Sequence, residues 1–181
     1  MPEHVMPIWT GRVLRLNLER VRLPNGELAE LEIAHHPGGA AVVAVDEQQR
    51  ICLLYQFRHA AGGWLWELPA GKIDHGEPPL ETAQRELAEE GGASATHWQP
   101  LGDVLSSPGV FTEVVHLFLA TGLSPVAAAP ERHEVFRVEW RPLAEVVAMA
   151  LSGELRDGKS VIGVLRAAAI LRHGCGPGGT T

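Results

Sequence analysis

Cysteine is nearly absent: 181 residues hold two, Cys52 in an apolar run and Cys175 in a glycine-rich tail. Neither has metal-ligand spacing, and no structural disulfide is expected. No apolar run approaches the roughly 18 residues of a membrane span, so no membrane partner is expected. Residues 1–12 lack a basic start followed by an apolar stretch, so no secretion signal is expected and the reducing cytoplasm is the default compartment. Positive charge is also short: 15 Lys and Arg stand against 22 Asp and Glu, a net −7. That excludes sequence-independent nucleic-acid binding, which needs clustered cations. The nine histidines are scattered, none paired at zinc-enzyme spacing, and no Gly-x-Ser-x-Gly elbow accompanies them. They read as surface or structural residues.

What remains is ordinary for one soluble domain, 45% apolar and 20% charged, apart from one acidic stretch. Residues 77–90 carry Glu77, Glu81, Glu86, Glu89, Glu90 and Arg85. At helical periodicity Glu86 and Glu90 fall one turn apart on one face, with Glu89 beside them. Leu80, Ala83 and Leu87 form an adjoining apolar stripe that would dock on a core. Like charges one turn apart cost a helix a few tenths of a kcal/mol. Concentrating them beside a buried stripe suits a hard divalent cation, which takes oxygen ligands and leaves positions for water and phosphate. An acidic protein with an anionic substrate needs such cations at its site.

The order of elements follows from alternation and turn chemistry. Residues 12–23 and 28–34 read as strands around Pro24-Asn25-Gly26-Glu27, an N-terminal antiparallel hairpin whose uncovered edge invites a second subunit. Residues 40–45, 51–58, 64–68, 98–104, 114–121 and 135–141 read as strands. Residues 79–90, 142–151 and 159–172 read as helices, the first opened by Pro78-Pro79 and closed by Gly91-Gly92. Strands mixed with three helices predict an α/β or α+β layered domain. The expected division is a hairpin region at 1–36, a catalytic domain at 37–173 and a disordered tail at 174–181.

Gly71, Glu77, Arg85, Glu86, Glu89, Glu90 and Gly92 match Gly-x5-Glu-x7-Arg-Glu-apolar-x-Glu-Glu-x-Gly at every fixed position. Chance gives such a match on the order of once in 10⁸–10⁹ starts. The pattern resembles the Nudix box, the signature of hydrolases that cleave a nucleoside diphosphate linked to another group. Ala93 departs from it, standing where a larger aliphatic is usual. Gln56-Phe57-Arg58 and Trp66-Glu-Leu-Pro-Ala-Gly71, with Pro108 sixteen residues past Gly92 and the segment 153–160, resemble the ADP-ribose pyrophosphatases of that superfamily. The likeness spans roughly residues 12–172.

The resemblance implies an α/β/α sandwich with a mixed central sheet, and roles residue by residue. Glu86 and Glu90 would bind Mg²⁺ or Mn²⁺, with Glu89 and the carbonyl of Ala70 as further ligands. Arg85 would hold the glutamates, and Glu77 would brace the loop. Gly71 and Gly92 would serve the backbone. Arg58, Glu113 and Gly109 would contact substrate, Arg58 as a phosphate clamp. The general base would come from the loop 124–134, at Glu134 or Glu131, with Glu89 as a third candidate. The implied activity is Mg²⁺-dependent hydrolysis of ADP-ribose or a related nucleoside diphosphate sugar by a homodimer. GDP-mannose hydrolysis and non-catalytic ADP-ribose sensing are the alternatives.

Overall fold

Strand β4 (Gly39–Ala44) has no polar side chain and is buried along its whole length. Such a strand needs an apolar layer on each face. The computed structural model describes residues 1–129 and 135–174 and supplies both layers. Before β4 come β1 (His4–Thr10), β2 (Arg15–Arg22) and β3 (Leu28–His35). After it come β5 (Arg50–Arg58), β6 (Gly63–Glu67), β7 (Ala70–Lys72), helix α1 (Pro79–Glu89), β8 (Ala93–Leu105), β9 (Val114–Pro125), β10 (Phe136–Pro142), α2 (Leu143–Ser152) and α3 (Gly158–Gly174).

The central sheet runs β7-β4-β9-β8, with β4 parallel to β9 and the other pairs antiparallel. A second sheet, β10-β5-β6, is antiparallel throughout and follows β4 through the turn closed by the Val45–Ile51 bridge. Ala40, Val42 and Ala44 pack with Ala83 and Leu87 of α1 and with Phe118 and Ala120 of β9. Ala41, Val43 and Val45 pack with Val146 and Met149 of α2 and Val164, Ala167 and Ala168 of α3. Helix, mixed sheet and helices therefore stack as an α/β/α sandwich. Truncating a buried leucine such as Leu87 to alanine would cost about 2–5 kcal/mol.

Helix α1 begins with Pro79 in its first turn and Glu81 near the positive end of the helix dipole. It stops at Glu90-Gly91-Gly92, where Gly92 takes φ +62°, a left-handed geometry that suits glycine. The expected apolar stripe is corrected in one respect. Leu80 is exposed, and the buried face is Thr82, Ala83, Glu86 and Leu87. The helix is rolled so that acids, not Leu80, face the strand edge.

Three further differences concern boundaries. The N-terminal hairpin carries a third strand, β1, paired antiparallel to β2. Pro7 removes a ladder donor and sits at a register shift before Trp9, which hides the strand's alternation in the sequence. Strands β8 and β9 are longer than the alternation indicated, and β8 bends at a bulge between Pro100 and Gly102. Gly174 belongs to α3; residues 175–181, the rest of the expected tail, lie outside the described residues.

Candidate active site

Helix α1 and β7 are joined through carboxylates. Glu90, 1% exposed, accepts the Ala70 N–H at 2.8 Å. Arg85 donates to Glu86 at 2.6 Å, to Glu89 at 3.2 Å and to both oxygens of Glu77 at 3.2 Å, and it reaches the Lys72 carbonyl at 3.3 Å. Glu77 also accepts from the Thr82 hydroxyl at 2.7 Å and the Asp74 N–H at 3.2 Å. One guanidinium thus ties the loop before α1 to the helix. The hydrogen bonds from Arg85 and Thr82 hold the Glu77 carboxyl down to about 2, and the bond to Glu77, with the Glu86 carboxylate, raises Arg85.

Beside this cluster lies a cavity of about 760 Å³. Among the described residues, the cations Arg12, Arg58, Lys72, Arg85 and Lys159 line it, together with the acids Asp74, Glu86, Glu89, Glu113 and Asp157. Ala70 and Gly71 form part of the wall, so Ala70, Glu86, Glu89 and Arg85 meet there with Arg58 and Glu113. Gly109 is not part of that lining; its neighbour Ser106 is. The turn that carries Gly109 instead docks on β3 through the Ala34–Val110 and Thr112–Ala34 backbone bonds. This docking brings Glu113 to 3.4 Å from the His36 imidazole. Burial lowers the His36 pKa, with Lys72 adding to the effect and Glu113 opposing it. Glu90, Glu77 and Gly92 are not among the lining residues. Glu131 and Glu134 lie outside the described residues.

Sequence reasoning missed a second charged group, set directly behind this cavity. Glu67, 3% exposed at the end of β6, accepts from Arg58 at 2.9 and 3.0 Å and from Lys159 at 2.8 Å. Burial alone would raise its carboxyl, but the Arg58 hydrogen bonds and the Lys159 charge hold it down to about 2. A carboxylate between Trp66 and Leu68 in a short apolar strand was the available signal, since such a group is tolerated only with partners.

A NUDIX domain family profile matches residues 35–162, which contain α1 and every cavity wall except Arg12 and Val13. The chain belongs to the Nudix family. A relative from Mycobacterium tuberculosis (strain ATCC 25618 / H37Rv), an ADP-ribose pyrophosphatase, is 42% identical over 164 residues, covering 89% of this chain and 79% of that one. The methanol dehydrogenase activator of Bacillus methanolicus is 36% identical over 170 residues and covered to 92% on both sides. A crystal structure of an ADP compounds hydrolase, 20% identical, matches with TM-score 0.83 over 97% of this chain and 95% of its own. That likeness speaks to the fold, which is the Nudix α/β/α sandwich. The chain is a Nudix hydrolase.

Nudix hydrolases generally use divalent metal ions. Among the described residues, no three His, Cys, Asp or Glu side chains converge as a ready cage. Arg85 draws Glu86 and Glu89 to itself, while Glu90 is turned to Ala70. The donor set nonetheless suits a hard divalent ion, because it offers carboxylate and carbonyl oxygens only. Room is present as well: a side chain at Gly71 would run into the Glu86 carboxylate, so the smallest residue keeps that oxygen accessible. No helix among the described residues is long and apolar enough to cross a membrane.

Proposed function

We propose that this Nudix hydrolase cleaves the diphosphate bond of ADP-ribose in the presence of Mg²⁺, giving AMP and ribose 5-phosphate. The observation that carries this reading is the cavity wall. It sets the acids Glu86 and Glu89 beside Arg12, Arg58, Lys72 and Lys159, a match for a dianionic diphosphate with bound cations.

Glu86, Glu89, Glu90 and the Ala70 carbonyl would hold the metal, which would neutralise diphosphate oxygens and acidify water. Arg85 keeps the glutamates oriented through charge-assisted hydrogen bonds. Arg58 presents its guanidinium to the phosphates. One water oxygen bonds to one phosphorus, the bridging P–O bond breaks, and the departing phosphate keeps the electron pair. The water's proton passes to a carboxylate outside α1, for which Glu134 is the first choice and Glu131 the second. No covalent enzyme intermediate is required. Pairing of the N-terminal sheets of two copies completes the proposed assembly.

Hydrolysis of ADP-ribose, GDP-mannose, ADP-glucose, NADH and dinucleoside polyphosphates with Mg²⁺ tests the substrate. ADP-ribose should give the highest kcat/KM. A preference for GDP-mannose would move the protein to the other sugar-nucleotide class.

A further inference from the structure

Glu67 is buried behind the cavity and does not line it, whereas the two cations it holds do. Its oxygens accept Arg58 Nε at 2.9 Å, Arg58 Nη2 at 3.0 Å and Lys159 Nζ at 2.8 Å. Lys159 comes from the first turn of α3, 92 residues along the chain, and also donates to Asp157 at 2.8 Å. Asp157 accepts the Ser160 N–H at 3.2 Å and its hydroxyl at 2.5 Å, and Ser160 Oγ accepts the Leu68 N–H at 2.8 Å. Every member of this chain of contacts is anchored to backbone or to a buried group. Among the described residues Arg58 Nη1 has no partner, and Lys159 has used two of its protons. Those donors remain for a ligand.

We propose that Glu67 is a positioning residue that fixes Arg58 and Lys159 as a paired clamp on the sugar-phosphate half of the substrate. The inference rests on the ADP-ribose reading. The corner formed by Arg58, Asp157, Gly158 and Lys159 offers charge and a hydroxyl acceptor and, among the described residues, no aromatic ring for a base. Apolar wall of the kind a base needs comes mostly from Val13, Val104, Leu105 and Val115, on other elements, and only Ile162 of α3 adds to it near this corner. A buried carboxylate shared by two cations costs desolvation, and only good geometry offsets it. Here the return is preorganisation, since the two long side chains are ordered before the phosphate arrives.

Titration calorimetry of the full chain with ribose 5-phosphate and with AMP, in Mg²⁺, tests this. Lys159→Met should weaken ribose 5-phosphate by about tenfold or more and leave AMP within about twofold, the loss of a charge-assisted hydrogen bond. Lys159→Arg should restore part of the loss. Glu67→Gln should give the same selective loss, and the double variant should be weaker than Lys159→Met, because Arg58 is released too, but by less than the full Glu67→Gln loss. In ADP-ribose hydrolysis the same variants should raise KM more than they lower kcat. Equal losses for both ligands, or losses that multiply in the double variant, overturn the inference. Should Glu67→Gln fail to fold, Glu67→Asp keeps the charge but withdraws it, and must show the selective loss. Absence of ribose 5-phosphate binding by the wild type overturns the inference outright. Hydrolysis of ADP-ribose by that same wild type, measured separately, tells whether the substrate reading has fallen with it.

Discussion

Gly71 and Glu86 approach so closely that a methyl group built on Gly71 would lie 1.8 Å from Glu86 Oε1. Strand β7 and helix α1 meet through a hydrogen atom on one side and a carboxylate on the other. Gly71→Ala must therefore push Glu86 out of place. Hydrolysis should fall about 10²-fold, the scale of losing one group that stabilises transition-state charge, while far-UV circular dichroism stays native. Near-wild-type kcat would show that the Glu86 position is not catalytic.

Glu86→Gln and Glu90→Gln change charge without changing shape. Each should lower kcat by about 10²-fold or more and raise the Mg²⁺ concentration needed for half-maximal rate. Folding should survive, because one of several mutually repelling carboxylates is removed. Unaltered Mg²⁺ titration curves in both variants would remove the metal role from α1.

Acid stability follows from Glu67 and Glu77. Each has a folded-state carboxyl held down to about 2 from an ordinary 4.5. A depressed carboxyl stabilises the fold fully above its unfolded value and loses that contribution as pH falls through the folded value. Urea-unfolding free energy should therefore be insensitive to these groups above about pH 5 and fall between about 4.5 and 2. Glu67→Gln should flatten part of that fall; an identical acid limb in the variant would show that Glu67 does not contribute.

The N-terminal sheet exposes Val5, Met6, Ile8 and Trp9 on β1, each more than 40% accessible. This exposed apolar surface is the proposed contact between two copies of the chain. Sedimentation should give about twice the 19.5 kDa chain mass. Deleting residues 1–34 should give monomer or aggregate with little activity. A fully active monomeric truncation would remove the sheet from both roles.

Glu134→Gln should lower kcat by about 10²–10⁴-fold, and the loss should shrink as pH rises and hydroxide replaces the base. Metal affinity should change little. Should Glu131→Gln show this pattern instead, the base is Glu131. If neither does, Glu89 or bound metal activates the water.

Legibility in the sequence tracked locality. Helix α1 and its acids were readable because Pro78-Pro79, the glutamate spacing and Gly91-Gly92 all lie within one continuous segment. Strand β4 was readable because every residue from Ala40 to Val45 is apolar. Strand β1 was not, since Pro7 breaks its ladder and its side chains face solvent. The Glu67–Lys159 pair was hidden for another reason: its members are 92 residues apart and meet only after α3 packs on the sheet. Glu113 was named through the family resemblance, but its partner His36 depends on the docking of the preceding turn on β3.

Strand β4 and the residue after it alternate between the cores, Ala40, Val42 and Ala44 on the α1 side and Ala41, Val43 and Val45 on the α3 side. Neighbouring positions on one short segment therefore answer to different clients. Bulk added at Val42 presses on the helix that carries Glu86 and Glu90, while bulk added at Val43 presses on the helix that carries Lys159. Two conservative substitutions one peptide bond apart would therefore disturb different helices that line the same cavity, so variation along this strand can act on the proposed metal ligands and on the proposed Lys159 clamp independently.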